Sequence, residues 1–152
     1  MRTVLFICTG NTCRSPMAEG IAWKLQREGK LPAGFAGAFF ASAGVNAFDG
    51  MSTSEETVAV LERLGAPAPG HSKRLTADMV RKADLVLGMT SSHVERARAL
   101  VAHEPALGAK IHALDPEGDI PDPIGLGQRA YDELGEHLVG LIPERLTEMQ
   151  KP

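Results

Sequence analysis

Short runs of apolar, β-prone residues alternate along this chain with stretches whose apolar positions recur at helical spacing. The first run, Thr3-Val4-Leu5-Phe6-Ile7, is continuous, the pattern of a strand buried on both faces. It gives way to a polar loop, Cys8-Thr9-Gly10-Asn11-Thr12-Cys13-Arg14. Ser15-Pro16 then predicts a helix, with Ser15 as N-cap and Pro16 at the first position. Ala18, Ile21, Ala22 and Leu25 share one face of it, and Gly29 ends it. A second strand is predicted over residues 38–43. Ser52-x-x-Glu55 and Thr53-x-x-Glu56 both have capping-box form before a helix that stops at Gly65. A short helical stretch near 76–83 precedes a buried strand, Asp84-Leu85-Val86-Leu87. Ser92-x-x-Glu95 opens a helix to about 102, and residues 110–114 read as a fourth strand. Residues 115–127, with three prolines and three glycines, are a loop. Tyr131, Leu134, Leu138, Leu141 and Ile142 mark a last amphipathic helix, expected to be kinked or interrupted near Gly140 and Pro143.

Strand, loop and helix in this alternation predict an α/β fold with a parallel sheet. At 152 residues, without repeat or linker, a single domain over 1–152 is expected. Sixteen basic against nineteen acidic residues leave no basic footprint, so nucleic acid is not expected as a partner. The apolar runs are short of a membrane span and residues 1–8 are too short for a signal peptide, so the expected location is cytoplasmic. The only cysteines, Cys8 and Cys13, share one segment. That is neither a secreted disulfide framework nor a structural zinc site, which leaves reactivity or simple burial. No metal-ligand cluster is visible among the five histidines, and no cofactor is expected.

Placed between a strand and a helix N-terminus, the loop from Cys8 to Ser15 suits an anion. Backbone N–H groups in such a turn form a concavity, and the helix adds the positive end of its dipole. Gly10 and Asn11 tolerate left-handed backbone, and Arg14 offers a planar fork to two phosphate oxygens. Amides, a helix N-terminus and a guanidinium favour the thiolate of a cysteine among them, and Ser15 is placed to donate to Cys8.

The run from Val4 to Glu19, with its Cys-x-Gly-Asn-x-Cys-Arg-Ser-Pro core, resembles the signature of the low-molecular-weight protein tyrosine phosphatase family. Ser42-Ala43-Gly44, Ala83-Asp84-Leu85-Val86-Leu87 and Asp122-Pro123 fall where that family has similar segments, so the resemblance covers nearly the whole chain. It implies a four-stranded parallel sheet with helices on both faces. It also implies phosphorylated protein substrates, a phosphocysteine at Cys8, and phosphate held by Thr9, Gly10, Asn11, Thr12, Cys13, Arg14 and Ser15. A leaving group that departs protonated needs an acid, for which Asp115, Asp119 and Asp122 are candidates. The resemblance selects Asp122, because the family carries its acid in an Asp-Pro pair before the last helix.

Tyrosine-specific relatives place a bulky aliphatic residue at the position of Thr12 and aromatic residues after the Asp-Pro. Here Thr12 is small and polar, and Ile124-Gly125-Leu126-Gly127 follows. Both features resemble the protein-arginine phosphatase branch, so phosphoarginine is favoured over phosphotyrosine, although that branch has an aromatic where Ile124 stands. The alternatives are an aryl phosphatase of the same family, a thiol-redox arsenate reductase, and a phosphate-binding module. Residues 82–90 lack the further cysteines the reductase needs, and Cys8, Arg14 and Asp122 are more than a binding module requires. Cys13 is either a redox partner of Cys8 or simply buried. Relatives often have a histidine near His71 that bonds Asn11, so His71 is either a support for the loop or a solvated loop residue.

Overall fold

The computed structural model describes residues 2–150. Strand β1 (Thr3–Cys8) leads into helix α1 (Arg14–Arg27), followed by β2 (Phe39–Gly44), α2 (Glu55–Leu64), α3 (Ala77–Lys82), β3 (Leu85–Gly88), α4 (Ser91–Leu100), β4 (Ile111–Ala113) and α5 (Gln128–Met149). The four strands form one sheet in the order β2-β1-β3-β4, with every neighbouring pair parallel. This is the expected α/β architecture.

The sheet's period of two sorts β1 between two cores. Val4, Phe6 and Cys8 pack with Met17 and Ile21 of α1, Val60 and Leu61 of α2, and Leu138 and Ile142 of α5. Leu5 and Ile7 pack on the opposite side with Val80 of α3 and Val94 and Ala97 of α4. With apolar neighbours on both faces, β1 has to be continuously hydrophobic, which is why its run carries no polar alternation. Cys8 ends this central strand between β2 and β3, at the carboxyl edge where the chain turns toward α1.

Several predicted helix starts move. α1 begins at Arg14 with Cys13 at its N-cap position and no side-chain cap, so Ser15 lies inside the helix and is free for the site. α2 is capped by Ser54, whose Oγ accepts from Thr57 N, not by Ser52 or Thr53. α4 is capped by Thr90 in a reciprocal box with His93, not by Ser92. α5 runs unbroken through Gly140 and Pro143. A proline there costs about 3 kcal/mol in an isolated helix, but Leu141, Ile142 and Leu146 around it are buried and hold the helix on the core. No helix among the described residues is long and apolar enough to cross a membrane.

Candidate active site

The loop from Cys8 to Ser15 is suspended by its carbonyls. Cys8 O accepts from Val45 N (2.9 Å), Thr9 O from Asn46 N (3.0 Å) and Thr12 O from Ser54 N (2.9 Å). Cys13 O accepts from Thr57 Oγ1 at 3.3 Å. With the carbonyls turned to these outside donors, the amides of Gly10, Asn11, Thr12 and Cys13 have no protein acceptor among the described residues. Unpaired amides in succession at a helix N-terminus make a preformed anion cradle. Asn11 takes the left-handed conformation (φ 57°) that the turn requires, whereas Gly10 does not. The glycine the cradle cannot spare is Gly44 at the end of β2. A Cβ there would collide with Thr9 O and approach Asn11 N to 2.9 Å and Ala47 Cβ to 2.8 Å.

Behind the cradle a chain of hydrogen bonds fixes the direction of each donor. Lys73 N donates to Asn11 Oδ1 (2.9 Å), which orients the amide. Asn11 Nδ2 donates to Ser15 Oγ (2.8 Å) and to Ser42 Oγ (3.0 Å). Ser42 in turn donates to Glu19 Oε1 at 2.8 Å. Burial raises the Glu19 carboxyl above its ordinary range, opposed by Ser42 and by the charge of Lys73. Because Ser15 accepts from Asn11, its own hydrogen is available to the Cys8 sulfur, 2.9 Å away, with Ala43 O as the more distant acceptor at 3.5 Å. Of the two readings of His71, the solvated loop residue is the one found, and the backbone of Lys73 supports Asn11. His71 is exposed and pairs with Ser52 in an isolated bridge instead.

Arg14 is buried, and its Nη1 donates to Ile120 O at 2.8 Å. That bond pins one edge of the guanidinium and leaves Nη2 3.7 Å from Asp122 Oδ2. Of the three candidate acids, only Asp122 stands at the cradle. Asp115 pairs with His137 (3.1 Å), and Asp119 accepts from Ser91 N at the start of α4 (2.8 Å). Cys8, Thr9, Gly10, Thr12, Cys13, Arg14, Asp122 and Ile124 together line a cavity of about 200 Å³. The nine predicted site residues therefore lie at one place: seven line the cavity, and Asn11 and Ser15 stand behind it as buried supports.

Cys13 is buried too, with its sulfur 3.5 Å from both Ser54 Oγ and Tyr131 Oη. Burial and the neighbouring Cys13 push the Tyr131 phenol upward, so it stays protonated. Both cysteines are free thiols. Sequence reasoning missed Glu19, Gly44, Ser54, Tyr131 and His93. His93 Nε2 lies 2.9 Å from Thr9 Oγ1 on the cavity wall. The sequence signal for it was the spacing Thr90-x-x-His93, a capping frame obscured by the more conventional Ser92-x-x-Glu95.

Residues 3–151 match the family described as low molecular weight phosphotyrosine protein phosphatase. The protein-arginine-phosphatase of Geobacillus stearothermophilus is 36% identical over 153 residues, covering 97% of both chains. The crystal structure of a low molecular weight protein tyrosine phosphatase from T. tengcongensis is 40% identical, with TM-score 0.81 over 98% of this chain and 99% of that one. A Cys-to-Ser mutant of the YwlE arginine phosphatase, solved with a phosphorylated active-site serine, is 27% identical with TM-score 0.85, covering 98% of this chain and 96% of that one. The cradle, its cysteine and arginine, and this likeness along the full length agree: the chain belongs to the low molecular weight phosphotyrosine protein phosphatase family, and it is a phosphatase.

Proposed function

We propose that this phosphatase, acting as one domain over residues 1–152, hydrolyses phosphorylated protein side chains through a phosphocysteine at Cys8 and favours phosphoarginine over phosphotyrosine. The observation that carries the mechanism is the ring of unpaired amides from Gly10 to Cys13 around a sulfur that Ser15 already holds. Three phosphoryl oxygens fit such a ring, and Arg14, pinned through Nη1, has its remaining N–H groups free to bind them. Cys8 Sγ attacks phosphorus as the bond to the leaving oxygen or nitrogen breaks, and Asp122 gives its proton to the leaving atom. Asp122, now a carboxylate, takes a proton from water as that water attacks phosphorus. The S–P bond breaks, and Ser15 donates to the departing thiolate. The phosphorylated active-site serine of the YwlE mutant is a stable analogue of such an intermediate in that protein.

The preference for phosphoarginine rests on the cavity wall, where Thr12 is small and polar and no lining residue is aromatic. A guanidine leaves only when protonated, which gives Asp122 a donor's part and then a two-hydrogen-bond partner in the planar product. The phosphotyrosine reading has one observation in its favour. Phe48 is 78% exposed on the segment after β2 whose backbone holds the phosphate loop, an aromatic side chain that no core position accounts for.

Phosphate release from an aryl phosphate, a phosphotyrosine peptide and a phosphoarginine peptide tests both levels. Cys8→Ser is expected to lose about 10⁴-fold or more in kcat, and Asp122→Asn about 10²–10³-fold. Full activity in Cys8→Ser would refute the covalent mechanism. Thr12→Ile is expected to shift the phosphoarginine to phosphotyrosine ratio about tenfold toward tyrosine. An unchanged or increased ratio removes Thr12 from specificity.

A further inference from the structure

His93 plays no part in the mechanism above, yet it is almost wholly buried, 3% exposed, beside the cavity. Its ring is bonded at both ends. Nδ1 lies 3.1 Å from both Thr90 N and Thr90 Oγ1; the backbone N–H can only donate, and Oγ1 already accepts from His93 N, so the arrangement that leaves no amide unpaired has Nδ1 presenting its lone pair. The neutral ring then carries its hydrogen on Nε2 and donates it to Thr9 Oγ1 at 2.9 Å. Burial, with Arg14 and Arg96 nearby, keeps the imidazole neutral down to about pH 4, although Asp119 and Asp122 pull the other way.

The consequence falls on Thr9. Its hydroxyl accepts from His93 and has no other partner among the described residues. The hydroxyl hydrogen is therefore uncommitted, and the residue lines the same cavity as Cys8, Arg14 and Asp122. Had the ring carried its hydrogen on Nδ1, Thr9 would spend that hydrogen on Nε2 and face the cavity as an acceptor only, repelling an anion.

We infer that His93 is a positioning residue for phosphate transfer: held in one tautomer by the N-cap of α4, it turns Thr9 into a hydrogen-bond donor aimed at the bound phosphoryl group. This deepens the phosphatase reading and rests on it for the identity of the acceptor. The α4 cap thereby links helix geometry to the phosphate loop. Donation from Nε2–H also polarises the hydroxyl and makes it a better donor than an isolated threonine.

Two replacements separate the two ends of the ring. An asparagine oxygen can stand where Nδ1 caps Thr90 but cannot reach Thr9, whereas a glutamine amide can stand where Nε2–H meets Thr9. With an aryl phosphate, Thr9→Val and His93→Asn are each expected to lower kcat/KM about tenfold, the factor for one hydrogen bond made at the transition state. The double variant should lose no more than either alone, and His93→Gln should recover most of the rate even though its cap, and its melting temperature, are lower. Independent, multiplying losses, or wild-type kcat/KM in His93→Asn, would overturn the coupling. So would a rate that follows melting temperature across the two His93 variants. A readout free of turnover is the ¹⁵N spectrum of the ring in the wild-type protein at pH 7. A hydrogen on Nε2 is expected, and one on Nδ1 overturns the inference whatever the enzyme hydrolyses. Absence of any phosphatase activity in the wild type would instead strike the reading beneath it and leave the tautomer as measured.

Discussion

In the loop from Cys8 to Ser15 four carbonyls and the side chains of Asn11, Arg14 and Ser15 are tied to five different parts of the chain, whereas residues 121–127 are tied mostly to themselves. Ile120 N is held by Met89 O, but beyond it Ile124 N bonds Asp122 Oδ1 and Leu126 N bonds Pro123 O, both within the loop. Asp122 keeps 45% of its side chain exposed, and Ile124 and Leu126 are 65% and 67% exposed. The contrast matches two different tasks. A phosphoryl group is the same in every substrate, and a cradle for it gains from being fixed before binding. The leaving group and the polypeptide around it vary, and a segment with few outside bonds adapts at little cost. One contact joins the two: Arg14, rooted in the fixed loop, donates to Ile120 O at the base of the adaptable one and faces Asp122.

That contrast breaks most sharply at Gly44. Gly44→Ala forces a Cβ against the backbone of Thr9 and Asn11, and it should cost about 1–3 kcal/mol of stability as overpacking does. Denaturant melts measure this, and kcat should fall with it because the cradle itself must shift. A variant as stable and active as the wild type would show that the phosphate loop is looser than its bonds imply.

The second expectation concerns acid. Burial, Arg14 and Arg96 hold His93 at about 4 in the folded chain against an ordinary 6.5. Between those values the unfolded chain binds a proton that the folded one does not, so stability falls as pH drops from about 6.5 to about 4, by roughly 2 kcal/mol. Glu19, raised by burial, has the opposite sign above its ordinary 4.5, but it is common to wild type and variant. Urea melts at pH 7 and pH 5 should therefore show a smaller acid loss in His93→Asn than in the wild type. An identical loss would mean that the ring is not the group responsible.

The smallest effect on the fold belongs to the adaptable loop. Ile124→Ser and Leu126→Ser remove exposed apolar surface and should move stability by no more than about 0.5 kcal/mol. Their effect is expected in KM for protein substrates, with the rate on a small aryl phosphate unchanged in Leu126→Ser, since only Ile124 of the two lines the cavity. Loss of the small-substrate rate in Leu126→Ser would mean that this side chain also holds Asp122 in place.

The arrangement of strands and helices was legible because burial imposes its period on the sequence. β1 is apolar throughout since Val4 and Phe6 face one core while Leu5 and Ile7 face the other. The phosphate loop was legible for a related reason: contiguous residues build most of it, so Cys8, Arg14 and Ser15 appear in the order and spacing at which they act. The helix starts were read less well. Ser15, Ser92 and the pair Ser52 and Thr53 all have capping chemistry, and only packing decides which hydroxyl is spent on a helix and which on a neighbour. Ser15 goes to Cys8, while Ser54 and Thr90 become the caps.

By itself, then, the sequence determined the α/β sheet, the anion cradle and its cysteine, because these depend on local order and on periodic burial. Spacing alone left three aspartates open and the family resemblance selected Asp122, whereas tertiary structure alone decided that Lys73 rather than His71 orients Asn11 and that His93 reaches Thr9 from 84 positions away. Those choices rest on distances between segments that no spacing along the chain encodes. They are set by how α4 and the loop before α3 close over the end of one strand.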